Sequence, residues 1–143
     1  MPTYYTKSGN IIRNNEAYAR TGAPMFDYKG NNINKTNTIY KANLSHGKKY
    51  IGKTTNIDRR INQHVQGRGA QVTKKFKPKS FEIVDEVPGY FSSEVEQYHT
   101  EKNIKKYGYN NVRGGVYTNS KTLKKNNYYN EDDYDYSEDD DDY

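Results

Sequence analysis

Apolar and polar positions mix along two short β-prone runs near the middle of the chain, Thr38-Ile39-Tyr40 and Tyr50-Ile51-Gly52. Between them lies the polar connection Leu44-Ser45-His46-Gly47, so the pattern predicts a β-hairpin with a tyrosine on each strand. Ile57, Ile61 and Val65 then recur every four residues, which predicts a helix over 56–65 that is capped by Asn56 and lays one apolar stripe against the hairpin. Arg60 and His64, also four apart, share the neighbouring face of that helix and look back toward the same strands. Gln66-Gly67-Arg68-Gly69-Ala70 breaks it.

Residues 81–87 read as a third strand with imperfect alternation, ended by Pro88-Gly89. A second helix is expected to begin after Ser92 or Ser93 and to run to Tyr107, ahead of Gly108. Glu94 is placed to cap that helix or to favour its dipole, and Glu96, three residues after Ser93, also fits a capping box. At the N-terminus, Lys7-Ser8-Gly9-Asn10 reads as a turn, and Asn15–Arg20 as one or two helical turns closed by Gly22. The fold class is therefore α+β: a small, largely antiparallel sheet of three strands flanked by helices over 35–119. Residues 1–34 form an appendage that either docks on the domain or contacts substrate, or stays a loosely ordered arm.

Composition narrows this picture. Hydrophobic residues make up 31% of the 143 and the mean hydropathy is −1.28, so part of the length is not expected to pack. Tyr 16 against Phe 4 and Trp 0, with abundant Asn, Lys and Ile, follows codons rich in A and T and points to an AT-rich genome such as that of a large DNA virus. The absence of cysteine excludes disulfides and cysteine-ligated zinc. With no apolar run near ~20 residues and no signal-peptide core, the expectation is an intracellular protein, cytoplasmic or nuclear, that neither enters membranes nor is secreted.

The net charge of +5 conceals an asymmetry: nine of the 18 acidic residues lie within 131–142, and no Lys or Arg follows Lys125. Residues 1–126 consequently carry a net +14, a balance that favours polyanions, with DNA as the default partner. Over 71–79, Lys74, Lys75, Lys77 and Lys79 surround Phe76 in what reads as a basic loop suited to phosphate contacts. Residues 120–143, rich in Lys and Asn and then in Asp, Glu and Tyr, cannot bury enough apolar surface to order and read as a disordered tail. That acidic tail either solubilises the chain or competes with DNA for the basic face.

The order Ile39-Tyr40, about ten residues, Tyr50-Ile51-Gly52-Lys53, then Arg60 resembles the GIY-YIG nuclease superfamily. So do Glu96 within a predicted helix and the following run from Tyr107 through Asn110, Asn111, Val112 and Arg113 to Gly115. The resemblance spans roughly 37–119. Thr38 stands where the first glycine of the signature belongs, and the asparagine is duplicated; Asn111 is preferred because it directly precedes Val112-Arg113-Gly114-Gly115.

The resemblance implies a metal-dependent DNA endonuclease. Hydrolysing a phosphodiester requires a base for water, positive charge for the phosphoryl oxygens and help for the departing oxygen. Glu96 would hold one Mg²⁺ (or Mn²⁺), and Arg60 offers a permanently charged fork for phosphate. The base role falls on Tyr40 and Tyr50 jointly, with Lys53 or the metal lowering a phenol pKa that is ordinarily near ~10. Asn111 would orient the site and His64 would assist proton transfer, while His99, one turn after Glu96, is expected at the surface. Arg113 joins the lysines of 71–79 as a nucleic-acid contact. Two other classes compete with this reading: a noncatalytic DNA-binding or adaptor protein that keeps the fold, and an interaction protein whose acidic tail takes a basic partner.

Overall fold

A computed structural model describes residues 2–121 and 123. Its centre is an antiparallel pair, β1 (Asn37–Leu44) and β2 (Lys49–Thr54), in the register that sets Tyr40 opposite Gly52 and Ala42 opposite Tyr50. The chain turns over Ser45–Gly47, where His46 and Gly47 take left-handed backbone angles (φ 60° and 71°). β3 (Pro78–Val87) flanks β1 antiparallel, and Val112–Gly114 forms a short β4 parallel to β2. The sheet thus has four strands, ordered β3-β1-β2-β4, where three were expected. The extra strand is parallel because a helix, α4 (Ser92–Tyr107), carries the chain back across the sheet before Val112 joins it.

The lysine-rich run is not a loop. Gln71–Lys75 forms a short helix, α3, and Pro78 already opens β3. Val72 and Phe76 drive this by packing with Ala42, Leu44 and Leu123, so Phe76 lies in the core and away from any DNA-facing surface. Fully buried Leu123 also extends the packed domain past residue 119. The Lys75 ammonium donates to the carbonyls of Ser120 and Leu123, pinning that segment to α3. The acidic run expected to be a disordered tail lies outside the described residues. Among those described, no helix is long and apolar enough to cross a membrane.

Residues 2–34 form a packed unit with its own core of Ile12, Ala19 and Met25, contrary to a loose arm. A duplication underlies it: Tyr5-x-x-x-Gly9-Asn10-x-Ile12 returns as Phe26-x-x-x-Gly30-Asn31-x-Ile33. Each copy folds as a tight turn with a positive-φ glycine, closed by Thr6–Asn10 in one and Asp27–Asn31 in the other. Tyr5 and Phe26 exchange backbone hydrogen bonds of 2.9 Å across the pair, while α1 (Asn15–Arg20), capped by the Asn14 side chain, spans the interval. The unit docks through Tyr90 and Phe91 onto the turn that leads into α4.

Candidate active site

Tyr40 sits in mid-β1, fully buried, and its hydroxyl needs room where β2 passes. Gly52 provides it: a Cβ there would lie 2.5 Å from Tyr40 Cζ and closer still to the hydroxyl. The hydroxyl instead meets Nε2 of His64 at 2.7 Å. His64 comes from α2 (Ile57–Val65), whose start is capped by the Asn56 side chain on Arg59 N.

The apolar stripe expected of α2 is only partly covered, with Ile57 and Ile61 half-buried. His64 is the one buried residue of this helix, whereas Val65 is 61% exposed. The imidazole fits because Tyr40 and Tyr50 enclose it, Phe81 stacks on it at 6.1 Å between centroids, and both of its nitrogens have partners. The partner of Nδ1 is Thr73 Oγ1 at 3.0 Å. Gly69 closes over the ring, since a Cβ at that position would stand 2.7 Å from His64 Cε1.

Arg60, one turn before His64, brings its guanidinium close enough to both phenols to act on their ionisation, and it donates to Gln63 Oε1 at 2.9 Å. Even so, burial dominates. It pushes the phenols of Tyr40 and Tyr50 above their ordinary pKa; the Glu96 charge adds to this for both, and Tyr50 adds to it for Tyr40. Arg60 is the cation that lowers both phenols, but burial outweighs it and the net direction is upward. His64 moves oppositely: burial first and the Arg60 charge second lower it to about 4, so the imidazole is neutral near pH 7.

Lys53 turns toward the start of α4. Its ammonium is held by Ser92 and Ser93 hydroxyls at 3.2 and 2.7 Å, at the start of α4, and its charge acts on Glu96. Ser93 is thereby engaged by Lys53, and α4 begins without any side-chain cap, so the capping-box reading of Glu96 does not apply. The half-buried Glu96 carboxyl has its pKa raised by burial, with Lys53 opposing, and it makes no hydrogen bond or ion pair with a described residue. Among the described residues there is no group of three or more His, Cys, Asp or Glu placed to hold a metal. One accessible hard oxygen donor of this kind fits an ion that keeps most of its water and takes the rest of its ligands from a phosphate, as Mg²⁺ does.

Two residues expected at the site are elsewhere. Asn111 accepts from Lys48 Nζ at 2.9 Å and donates to the Tyr107 carbonyl at 2.8 Å, at the far end of α4. Tyr107 is eleven residues from Glu96, about 16 Å along the helix axis, so Asn111 ties the helix end to Lys48, just ahead of β2, and lies away from Glu96. Arg113 is only 1% exposed, donates to the carbonyls of Tyr109, Val112 and Asn119, and lies over the Tyr109 ring; it offers no surface for nucleic acid. Lys74, Lys77 and Lys79 are exposed, and Lys75, though exposed, has its ammonium on the Leu123 carbonyl. His99 is mostly covered and bonds Asp85 of β3 at 3.0 Å instead of standing in solvent.

Sequence reasoning missed Thr73, Gly69, Phe81 and the two serines that hold Lys53. Thr73, Gly69 and Phe81 reach the site from three separate segments and the two serines from a fourth, so no single spacing joins them.

A family model described as the GIY-YIG catalytic domain matches residues 36–113, more than half of the chain. No curated protein and no solved structure matches it.

Proposed function

Because the chain belongs to the GIY-YIG nuclease superfamily, we propose that it is an active, metal-dependent DNA endonuclease whose working residues are Tyr40, His64, Arg60, Tyr50, Lys53 and Glu96. The observation that carries the reading is the 2.7 Å contact between the Tyr40 hydroxyl and His64 Nε2, with Arg60 and Glu96 both acting on the same phenol.

In this reading Tyr40 takes the proton of the attacking water while passing its own to His64. A phenol whose pKa burial has raised does not ionise in advance, so its proton leaves only as another arrives. The neutral imidazole has a lone pair to receive it. Arg60, with its planar set of donors, holds the scissile phosphate and offsets the charge that builds on its oxygens. Tyr50 closes the other side of His64 and excludes water from the ring. Glu96 would hold Mg²⁺ or Mn²⁺, which supplies Lewis-acid stabilisation of the phosphoryl and leaving oxygens when bound. Lys53, anchored on Ser92 and Ser93, keeps cationic charge beside that carboxylate and the incoming phosphate. Lys74, Lys77 and Lys79, on and beyond the helix that carries Thr73, are the residues we assign to flanking phosphates. Asn111 is assigned a positioning role, through α4.

The test is cleavage of supercoiled, branched and linear DNA with Mg²⁺, Mn²⁺ or chelator, comparing wild type with Glu96→Gln and Arg60→Ala. Metal-dependent nicking that both variants lose, with salt-sensitive DNA binding kept, is the expected result. Binding without cleavage under every condition would replace the enzyme with a DNA-binding protein.

A further inference from the structure

His64 can accept a proton from Tyr40 only if Nε2 carries a lone pair, and neutral imidazole has two tautomers of similar energy in water. Something in the fold has to choose between them. On the opposite side of the ring, Nδ1 lies 3.0 Å from Thr73 Oγ1, and Thr73 Oγ1 lies 2.7 Å from the carbonyl oxygen of Ala70. A threonine hydroxyl has one proton, and a carbonyl can only accept. The Thr73 proton therefore points to Ala70, leaving a lone pair toward the imidazole. Reversing the chain would set Thr73 Oγ1 and Ala70 O face to face at 2.7 Å with no proton between them. Both residues of the pair are buried, His64 at 1% and Thr73 at 2% exposure, so no exchange with bulk water relaxes the constraint.

We infer that Thr73 is a positioning residue for the proposed reaction: by donating to the Ala70 carbonyl it obliges His64 to carry its proton on Nδ1, and so aims the Nε2 lone pair at the Tyr40 hydroxyl. The inference rests on the roles given above to Tyr40 and His64. The short helix α3 exists at the right place for this, since Thr73 bonds back three residues to the carbonyl that opens its own first turn. Gly69, pressed on the ring, keeps the imidazole from turning over. During the proposed step the water O–H bond breaks as its proton goes to Tyr40, and the Tyr40 O–H bond breaks as its proton goes to Nε2. The resulting imidazolium keeps Nδ1–H on the Thr73 oxygen, so the acceptor that set the tautomer also stabilises the charge.

The decisive measurement needs no substrate. In the full chain labelled with 15N-histidine at neutral pH, long-range proton–nitrogen correlation, assigned with His64→Gln, should show Nδ1 protonated and Nε2 as the bare nitrogen. Wild-type protein with Nε2 protonated would overturn the inference, whatever its activity. Thr73→Val, equal in volume but without the hydroxyl, should mix the tautomers and lower single-turnover cleavage by about 10-fold or more with KM kept, since a wrong tautomer of a catalytic histidine can cost up to about 10⁴-fold. Thr73→Ser restores the hydroxyl and should restore both readouts. A Thr73→Val protein with unchanged tautomer and rate refutes the assignment. If wild type cleaves no DNA, the proposed function falls, and the spectra alone decide whether Thr73 sets the tautomer.

Discussion

Gly52 offers the sharpest test of how the phenol is housed. Its backbone is ordinary strand, with no positive φ, so replacing it by alanine should by itself gain about 0.5–1 kcal/mol from reduced chain entropy. Against that, the new methyl would stand 2.5 Å from Tyr40 Cζ and 2.9 Å from Cε1. The tyrosine has nowhere to go, being fully buried with Tyr50, His64 and Phe81 around its ring. Overpacking of this kind costs about 1–3 kcal/mol, and losing the bond to His64 adds about 1 kcal/mol. The net expectation for Gly52→Ala is a loss of about 1–3.5 kcal/mol, read from urea unfolding followed by circular dichroism. The same substitution in a Tyr40→Leu background, where the atoms that would clash are gone, should be neutral or slightly stabilising. The coupling between the two positions should then be about 2 kcal/mol or more. Equal cost in both backgrounds would refute the steric account of this glycine.

Acid should weaken the fold through His64. Its folded pKa of about 4 lies below the ordinary 6.5, so the unfolded chain binds the proton more readily, and stability falls as pH drops through that window. Between pH 7 and pH 5 the loss should be about 2 kcal/mol in wild type beyond that in His64→Gln, and matching pH profiles would show that burial of the imidazole costs nothing on protonation. Asn34→Ala should destabilise by roughly 2–4 kcal/mol, because the 2% exposed side chain donates to Ala19 and Ala23 carbonyls and accepts from Tyr90 N. A loss under about 1 kcal/mol in the same unfolding assay would mean that residues 2–34 are not coupled to the domain through this residue.

The parts legible in the sequence were those carried by local spacing. The hairpin follows from two β-prone runs and a glycine-ended turn, and the spacing gives the capped helix that bears Arg60 and His64 almost to the residue. The buried face of that helix does not follow the same spacing. Periodicity scores Ile57, Ile61 and Val65 as the inward stripe, yet a histidine whose two nitrogens are satisfied buries more readily than pattern rules allow. Arg113 and Lys75 escaped for the opposite reason. Charge counts treat every cation as surface, while these two spend their donors on main-chain carbonyls of 109–123 and so hold the end of the domain in place. The fourth strand has only three residues, Val112–Gly114, too short for any alternation to show. Asn111 was found by position in a motif, which carries no information on which end of α4 it would serve. The duplication of Tyr5–Ile12 in Phe26–Ile33 was present in plain spacing, 21 residues apart, and a self-comparison of the chain exposes it.

That duplicated unit bears on the active site through a short series of contacts. Ile33 and Lys35 carbonyls press so closely on Gly89 that a Cβ there would come within 2.7 Å of the first and 2.6 Å of the second. Asn34 holds Tyr90 N at 3.0 Å, and these contacts together fix the turn Gly89–Phe91. Ser92, the next residue, donates to the Gly89 carbonyl and receives Lys53, while Ser93 receives the same ammonium. Glu96 lies one turn further along α4. The start of α4 has no side-chain cap of its own, so its position depends on what the preceding turn is packed against. Residues 2–34 supply that backing. These contacts join residues 2–34 to the turn from which α4 starts, next to the serines that hold Lys53 and one turn before Glu96.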